Sequence, residues 1–485
     1  MCSVLSVFGT SYMSAPPQRI VLFSWKDFQR HTEHTLMVRY GRVLENQKGY
    51  SIADTSRSHY LGSADKYVLR YRMDYKQRVK LAINMKKDAG EPFFFSSLRY
   101  GCDHYGFSLA VKGNGILPHT VLGDFGLQLG QGLLLWNGLS FGKGSWIGSI
   151  AKRGAGLAAY TAMGESNFLR GLATQLQYKH FSLTPFVSFN SLSGNRYLAD
   201  GHYYIGTIAT SGLHRTATEQ RYRKAIKQWV YGADLSYTLN RLKIGSTFLH
   251  TQYNGIIKPS DVAYNRYAFA GDHLRNVSLN YQYTFLNTYI YGETSYQLGA
   301  GWATNNGLLC SILPSLSLLG NYRFYHKRYF SPFGQSLQEG SAVANEQGLY
   351  GGLIFHPSRA VEWTNYVDFF SFPSARYRVD KASKGMDMLS QFTYLWYKKA
   401  KLSLRYRYRL KQENSADKND KRLEVVLKHQ LRLDGQHTFS STWRMRSRVE
   451  WAGYRKGVGP QEYGWLFYQD VFWHAPRKLP SLNIR

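Results

Sequence analysis

Polar and apolar residues alternate one by one over long stretches of this chain. Leu402, Leu404, Tyr406, Tyr408 and Leu410 form one apolar set, interleaved with Ser403, Arg405, Arg407, Arg409 and Lys411. Val277, Leu279, Tyr281, Tyr283 and Phe285 interleave with Ser278, Asn280, Gln282 and Thr284. Successive side chains of a strand point to opposite faces, so each segment reads as a strand with one greasy and one wet face. The same pattern predicts strands over 34–44, 66–75, 77–87 and 104–112. One helix is predicted, over 217–227, where Thr216 and Glu219 have capping-box spacing.

The connections have a rhythm of their own. Short ones are expected near 179–180, 240–241, 286–287, 314–315, 357–359, 398–400 and 434–436. Long ones are expected near 191–227, 254–275, 299–306, 327–346, 371–385, 411–421 and 453–462. Short turns on one side and long loops on the other describe an up-and-down meander, the organisation of outer-membrane barrels. The expected fold is therefore all-β: a large antiparallel up-and-down transmembrane β-barrel of about 20–24 strands. Residues 1–33 read as an N-terminal segment and 34–485 as the barrel. An exposed sheet of a soluble protein also alternates. Here, however, the apolar faces lean on Tyr, Phe and Trp, and the alternation persists with no helical layer to cover it.

Composition sharpens this picture. The 485 residues are 16% aromatic, which excludes a disordered chain. No run reaches the roughly 18–20 apolar residues of a membrane-spanning helix, so a membrane location requires a closed barrel. Cys2, Cys102 and Cys310 show no zinc or disulfide spacing. The stretch 1–12 has no basic residue ahead of its apolar part and is not a convincing secretory signal.

The 61 Lys and Arg against 31 Asp and Glu give a net charge of +30. Many of these cations sit on the wet faces: Arg70, Arg72, Arg405, Arg407, Arg409, Lys428 and Arg432. If those faces turn inward, the lumen is cationic and draws an anionic solute or a polyanion. If the cations sit at rims and loops, they meet lipid and lipopolysaccharide head groups instead. Asp88, Glu91, Asp124, Glu165 and Arg170 read as a structural charge cluster satisfying buried charge.

No catalytic, cofactor or metal site is expected. The glycine-rich stretch 123–144 fails as a phosphate loop, because Asn137 stands where the first glycine is required. It fails as a dinucleotide fingerprint because Leu135 replaces the third glycine. Its glycines read as bends, bulges or close backbone approaches. Neither a Gly-x-Ser-x-Gly nor a His-Glu-x-x-His element occurs.

Together with 38–51, 86–93, 100–109, 164–171 and 464–473, the 123–143 stretch resembles a group of large Gram-negative outer-membrane β-barrels. Members of that group are often described as helix-hairpin-helix proteins. The resemblance implies a barrel and, through the helix-hairpin-helix modules many members carry, DNA handling. No such module precedes His34 here. Barrel chains commonly close on an aromatic residue read by the barrel assembly machinery. This one ends Leu479-Pro480-Ser481-Leu482-Asn483-Ile484-Arg485, so a chain lacking its last strands is expected. The functional expectation is a channel or docking barrel for an anionic ligand. A scaffold that binds an envelope protein partner and a nucleic-acid-handling barrel are the alternatives.

Overall fold

In the computed structural model, the described residues are 25–54, 56–94, 101–140, 142–397, 399–415, 417, 420, 422–474 and 481–484. Cys2 and the 1–12 stretch lie outside them. The strands in chain order begin with β1 (Thr32–Arg42), β2 (Asp65–Tyr75), β3 (Val79–Lys87), β4 (His104–Val111), β5 (His119–Gln128), β6 (Gly156–Ala159), β7 (Leu169–Tyr178) and β8 (Phe181–Ala199). They continue through β9 (His202–Ala209), β10 (Ile226–Leu239), β11 (Leu242–Ile257), β12 (Gly271–Phe285), β13 (Thr288–Gln297), β14 (Gly301–Leu313), β15 (Leu316–Tyr325) and β16 (Glu346–Ser358). The last are β17 (Val361–Phe372), β18 (Ser383–Trp396), β19 (Ala400–Asn414), β20 (Leu423–Thr438), β21 (Trp443–Lys456), β22 (Glu462–Trp473) and β23 (Leu482–Ile484).

Neighbours in sequence are neighbours in the wall. From β10 onward each strand pairs antiparallel with the next. Two short strands depart from this order. β6 pairs only with β5, which continues the wall by pairing with β7. β9 folds back on the outer half of β8, whose other half pairs with β10. Among the described residues, the free edges of the wall are β1 and the β22–β23 side.

The alternation resolves with the wet face inward. On β12, Leu279 and Phe285 are exposed while Asn276, Ser278 and Asn280 are buried. On β13, Tyr291, Glu293, Ser295 and Gln297 are buried while Ile290 and Tyr296 are exposed. Trp363, Phe369, Phe392, Leu402 and Leu404 continue the exposed apolar surface around the wall. A soluble sheet protein buries its apolar faces; this one presents them outward, as a transmembrane β-barrel does.

Three expectations about connections are corrected. The short turn placed at 434–436 falls at 439–442, because β20 runs through Asp434-Gly435-Gln436 in register with β19. The long loop placed at 299–306 is a tight turn at 298–300, and β14 begins at Gly301. The helix is α1 (Ala217–Tyr222), with the capping box formed: Glu219 N–H donates to Thr216 Oγ1 and Thr216 N–H to Glu219 Oε2. It stops early because β10 already starts at Ile226.

The glycine-rich stretch does more than bend a sheet. After Gln128 the chain leaves the wall, and residues 129–140 and 142–152 run through the bore, meeting Glu293 on β13 and Asp368 on β17. Leu133, Leu134 and Leu135 are fully buried there. Gly130 and Gly132 have φ of +54° and +78°. A Cβ on Gly132 would lie 2.6 Å from the Gln335 carbonyl oxygen, and one on Gly130 2.6 Å from Glu293 Oε2. Only glycine fits both the left-handed backbone and these approaches. The 326–345 connection folds inward to meet the segment, and Trp136 N–H donates to the Phe333 carbonyl at 3.0 Å.

Candidate functional site

The inward segment is fastened by charge. Lys143 Nζ lies 2.6 Å from Asp368 Oδ2 on β17, 3.8 Å from Asp387 Oδ2 on β18, and in close contact with Glu339. Arg323 on β15 donates to Glu346 Oε1 at 2.7 Å and grips both oxygens of Asp368 at 2.7 and 3.0 Å. Arg407 holds Asp387 at 2.6 and 3.0 Å, and Arg409 reaches Glu339 Oε1 at 2.8 Å. Lys411 pairs with Glu339 as well. Five cations thus face four carboxylates. Buried charge is tolerated because nearly every carboxylate oxygen has a cationic donor. Elsewhere on the segment, Glu293 Oε2 accepts N–H donors from Gln131 at 2.6 Å and Leu133 at 3.0 Å.

The predicted basic residues therefore fall into different settings. Arg407 and Arg409 belong to the neutralising lattice. Arg72 donates to Asn84 Oδ1 at 3.0 Å and to the Thr161 carbonyl, and Arg70 shares its face of β2. Lys428 lies over the Tyr454 ring at 5.4 Å. Arg405 and Arg432 meet in a second setting. Their cavity, of about 210 Å³, is lined by Lys401, Arg405, Arg432, Arg446, Arg448 and Asp434 together with small polar residues.

Arg405 Nε donates to Gln391 Oε1 at 2.7 Å and its Nη2 to Ser145 Oγ at 2.9 Å, both neutral partners. Arg432 pairs with Glu450 Oε2 at 2.7 Å. Arg446 and Arg448 share Asp434 at 3.2 and 2.7 Å. Five cations here face two carboxylates. The sequence reading missed Lys401, Arg446 and Arg448. The alternation of Arg444, Arg446 and Arg448 with Met445, Ser447 and Val449 was the signal for the last two.

The predicted acidic group divides as well. Glu165 and Asp88 share Lys86 at 2.8 Å each, and Lys66 reaches Asp88 at 2.5 Å. Arg170 pairs with Asp124, at 2.6 and 3.0 Å, and not with Glu165. Glu91 stands with Asp103 and His214, their ligand atoms within 4.8 Å of one another. Both Glu91 oxygens accept backbone donors, from Asp88 at 2.7 Å and His214 at 3.0 Å. Arg223 Nε, 2.5 Å from Asp103 Oδ1, already supplies positive charge to this group. Burial, reinforced by Asp103, pushes the Glu91 carboxyl up to about 7.

No protein-family description matches this sequence, and no curated protein does. Solved structures with weak likeness include Pseudomonas aeruginosa OccK1 (OpdK), at 10% identity and TM-score 0.34, covering 87% of this chain and 92% of that one. Pseudomonas aeruginosa OpdQ matches at 10% identity and TM-score 0.34, covering 92% of this chain and 100% of that one. A BenF-like porin from Pseudomonas fluorescens Pf-5 matches at 11% identity and TM-score 0.34, covering 92% and 99%. The helix-hairpin-helix association receives no support from these comparisons. Among the described residues, the longest helix has seven residues, Trp25–His31.

Proposed function

We propose that this chain is an outer-membrane channel for small anionic solutes, with the cavity between β19, β20 and β21 as their binding station. The charge imbalance of that cavity carries the reading: Lys401, Arg405, Arg432, Arg446 and Arg448 against Asp434 and Glu450. The inner charge lattice is close to neutral and fixes the bore segment. The β19–β21 cavity keeps excess cationic charge, and Arg405 within it meets only the neutral partners Gln391 and Ser145. Such a site replaces the hydration of a carboxylate or phosphate with fixed N–H donors. An apolar exterior and a polar interior support the membrane setting.

The test is ion current through the full chain in planar bilayers under a salt gradient. An anion-selective current is expected, with inorganic phosphate or benzoate as blocking probes. The triple variant Arg405→Ala, Arg432→Ala, Arg446→Ala should move the reversal potential toward the cation side and weaken block by these probes. Unchanged selectivity and block in the triple variant would refute the station. The inward 129–152 segment favours a second reading, a plugged barrel whose loops dock an envelope partner. Absence of any current from folded protein would select it. Nucleic-acid binding would appear instead as an affinity falling steeply with salt.

A further inference from the structure

A second cavity, of about 730 Å³, opens where β4 and β7 begin, beside the middle of β8 and the 210–225 loop. Three of its lining residues form a connected chain. His214 Nδ1 lies 2.6 Å from Asp103 Oδ2, and His214 Nε2 lies 2.8 Å from Ser193 Oγ. The three come from separate elements: Ser193 from β8, His214 from the loop before α1, and Asp103 from the connection before β4.

The hydrogen bonds fix the protons. An ionised carboxylate only accepts, so Asp103 requires the proton on Nδ1 and leaves the Nε2 lone pair facing Ser193. Burial would raise the Asp103 carboxyl, but the His214 hydrogen bond and the nearby Arg223 and Lys224 hold it below its ordinary value. Lys224 N–H donates to Ser193 Oγ at 3.2 Å. That bond takes up an oxygen lone pair and leaves the hydroxyl proton to point at Nε2. The histidine is also held through its backbone. Glu91 accepts its N–H at 3.0 Å, and Gln220 Nε2 donates to its carbonyl at 2.5 Å. Arg223 Nη2 donates to the Asp103 carbonyl at 2.9 Å.

We propose that Ser193 and His214 are a nucleophile–base pair, with Asp103 as their positioning residue, and that they hydrolyse a small carboxylic ester within this cavity. Nucleophile and base stand within hydrogen-bond reach and the base is oriented by a third group, the arrangement acyl transfer requires. Ser193 Oγ attacks the acyl carbon and its proton passes to His214 Nε2. The ester C–O bond then breaks, and the leaving alcohol takes that proton. Water, deprotonated by the same nitrogen, attacks the acyl-serine. The acid departs and Ser193 recovers its proton. Ester and water become acid and alcohol, with no oxidant or cofactor required. Lys224 lines the same cavity and places positive charge near the developing oxyanion. Leu192, Ile208, Phe330 and Phe333 supply an apolar side for the acyl group.

The experiment uses the full chain, folded in detergent micelles, with a fluorophosphonate probe and p-nitrophenyl butyrate. Peptide mass spectrometry should place the phosphonate adduct on Ser193 of the unaltered protein. Ser193→Ala and His214→Asn should each lower hydrolysis by at least a hundredfold while keeping the heat-modifiable mobility of the folded barrel. Asp103→Asn should lower the rate and shift the His214 limb of the pH profile downward, because the imidazolium loses its carboxylate. A purely structural hydrogen-bond chain would not move that limb. No adduct on Ser193 of the folded unaltered protein, or hydrolysis equal to that of Ser193→Ala, would overturn the proposal.

Discussion

Lys143 shows how one residue fastens the interior of this barrel. Its ammonium is almost wholly buried among Asp368, Asp387 and Glu339. Replacing it with methionine leaves those carboxylates short of a cation, and removing one partner of a buried pair costs about 3–5 kcal/mol. Lys143→Met is therefore expected to lower the urea midpoint of the refolded barrel clearly. A surface change such as Lys48→Met should leave it in place. Glu91 gives a pH-dependent counterpart. Its folded carboxyl is raised to about 7, above the unfolded value, so the protonated form is favoured on folding. This stabilisation is complete below the unfolded pKa and is lost as pH rises to about 7. Protection factors for hydrogen exchange in the 210–225 loop, which divide out the intrinsic pH dependence, should fall from pH 5 to pH 8, and Glu91→Gln should flatten that dependence. An unchanged slope in the variant would remove Glu91 as the cause.

At the scale of elements, alternation located most wall strands but could not separate wall from bore. The leucines 133–135 sit inside a polar interior, packed by the 326–345 connection, and an apolar run looks alike in either place. Polar residues misled in the opposite direction. Asn305 falls within the loop expected at 299–306, yet it lies on β14, buried, and its Nδ2 donates to Ser336 Oγ at 2.8 Å. Asp434-Gly435 has turn chemistry, but Arg446 and Arg448 hold Asp434 on the inner face and the strand runs on. The pairings Lys86–Glu165 and Ser193–His214–Asp103 were invisible because loop folding brings those positions together. The glycines of the inner segment give an element-level prediction. Gly132→Val puts a branched side chain against the Gln335 carbonyl at a positive φ, which only displacement of 129–152 relieves. Single-channel conductance should rise in this variant. Unaltered conductance would mean that the segment does not limit the bore.

The whole molecule inverts the usual distribution of polarity, and a single substitution tests the inversion. Leu279 and Asn280 are adjacent on β12, one exposed and one buried. Arginine on a lipid-facing strand position costs about 2–4 kcal/mol at the bilayer midplane and less toward the rims. Leu279→Arg should thus destabilise the barrel in lipid vesicles, whereas an exterior facing water would leave its unfolding free energy nearly unchanged. Chain topology adds a consequence for assembly. Lys143 meets Asp368 across 225 residues, and Ser145 meets Arg405 across 260. The spoke donated after β5 must find anchors on strands that emerge from the ribosome long afterwards. Loop closure over such separations is slow, and local hairpins precede it. The early hairpins should therefore acquire protection first. Docking of the spoke should be the late step that sets the refolding half-time, so Lys143→Met, which weakens this docking, should slow the last phase and spare the first.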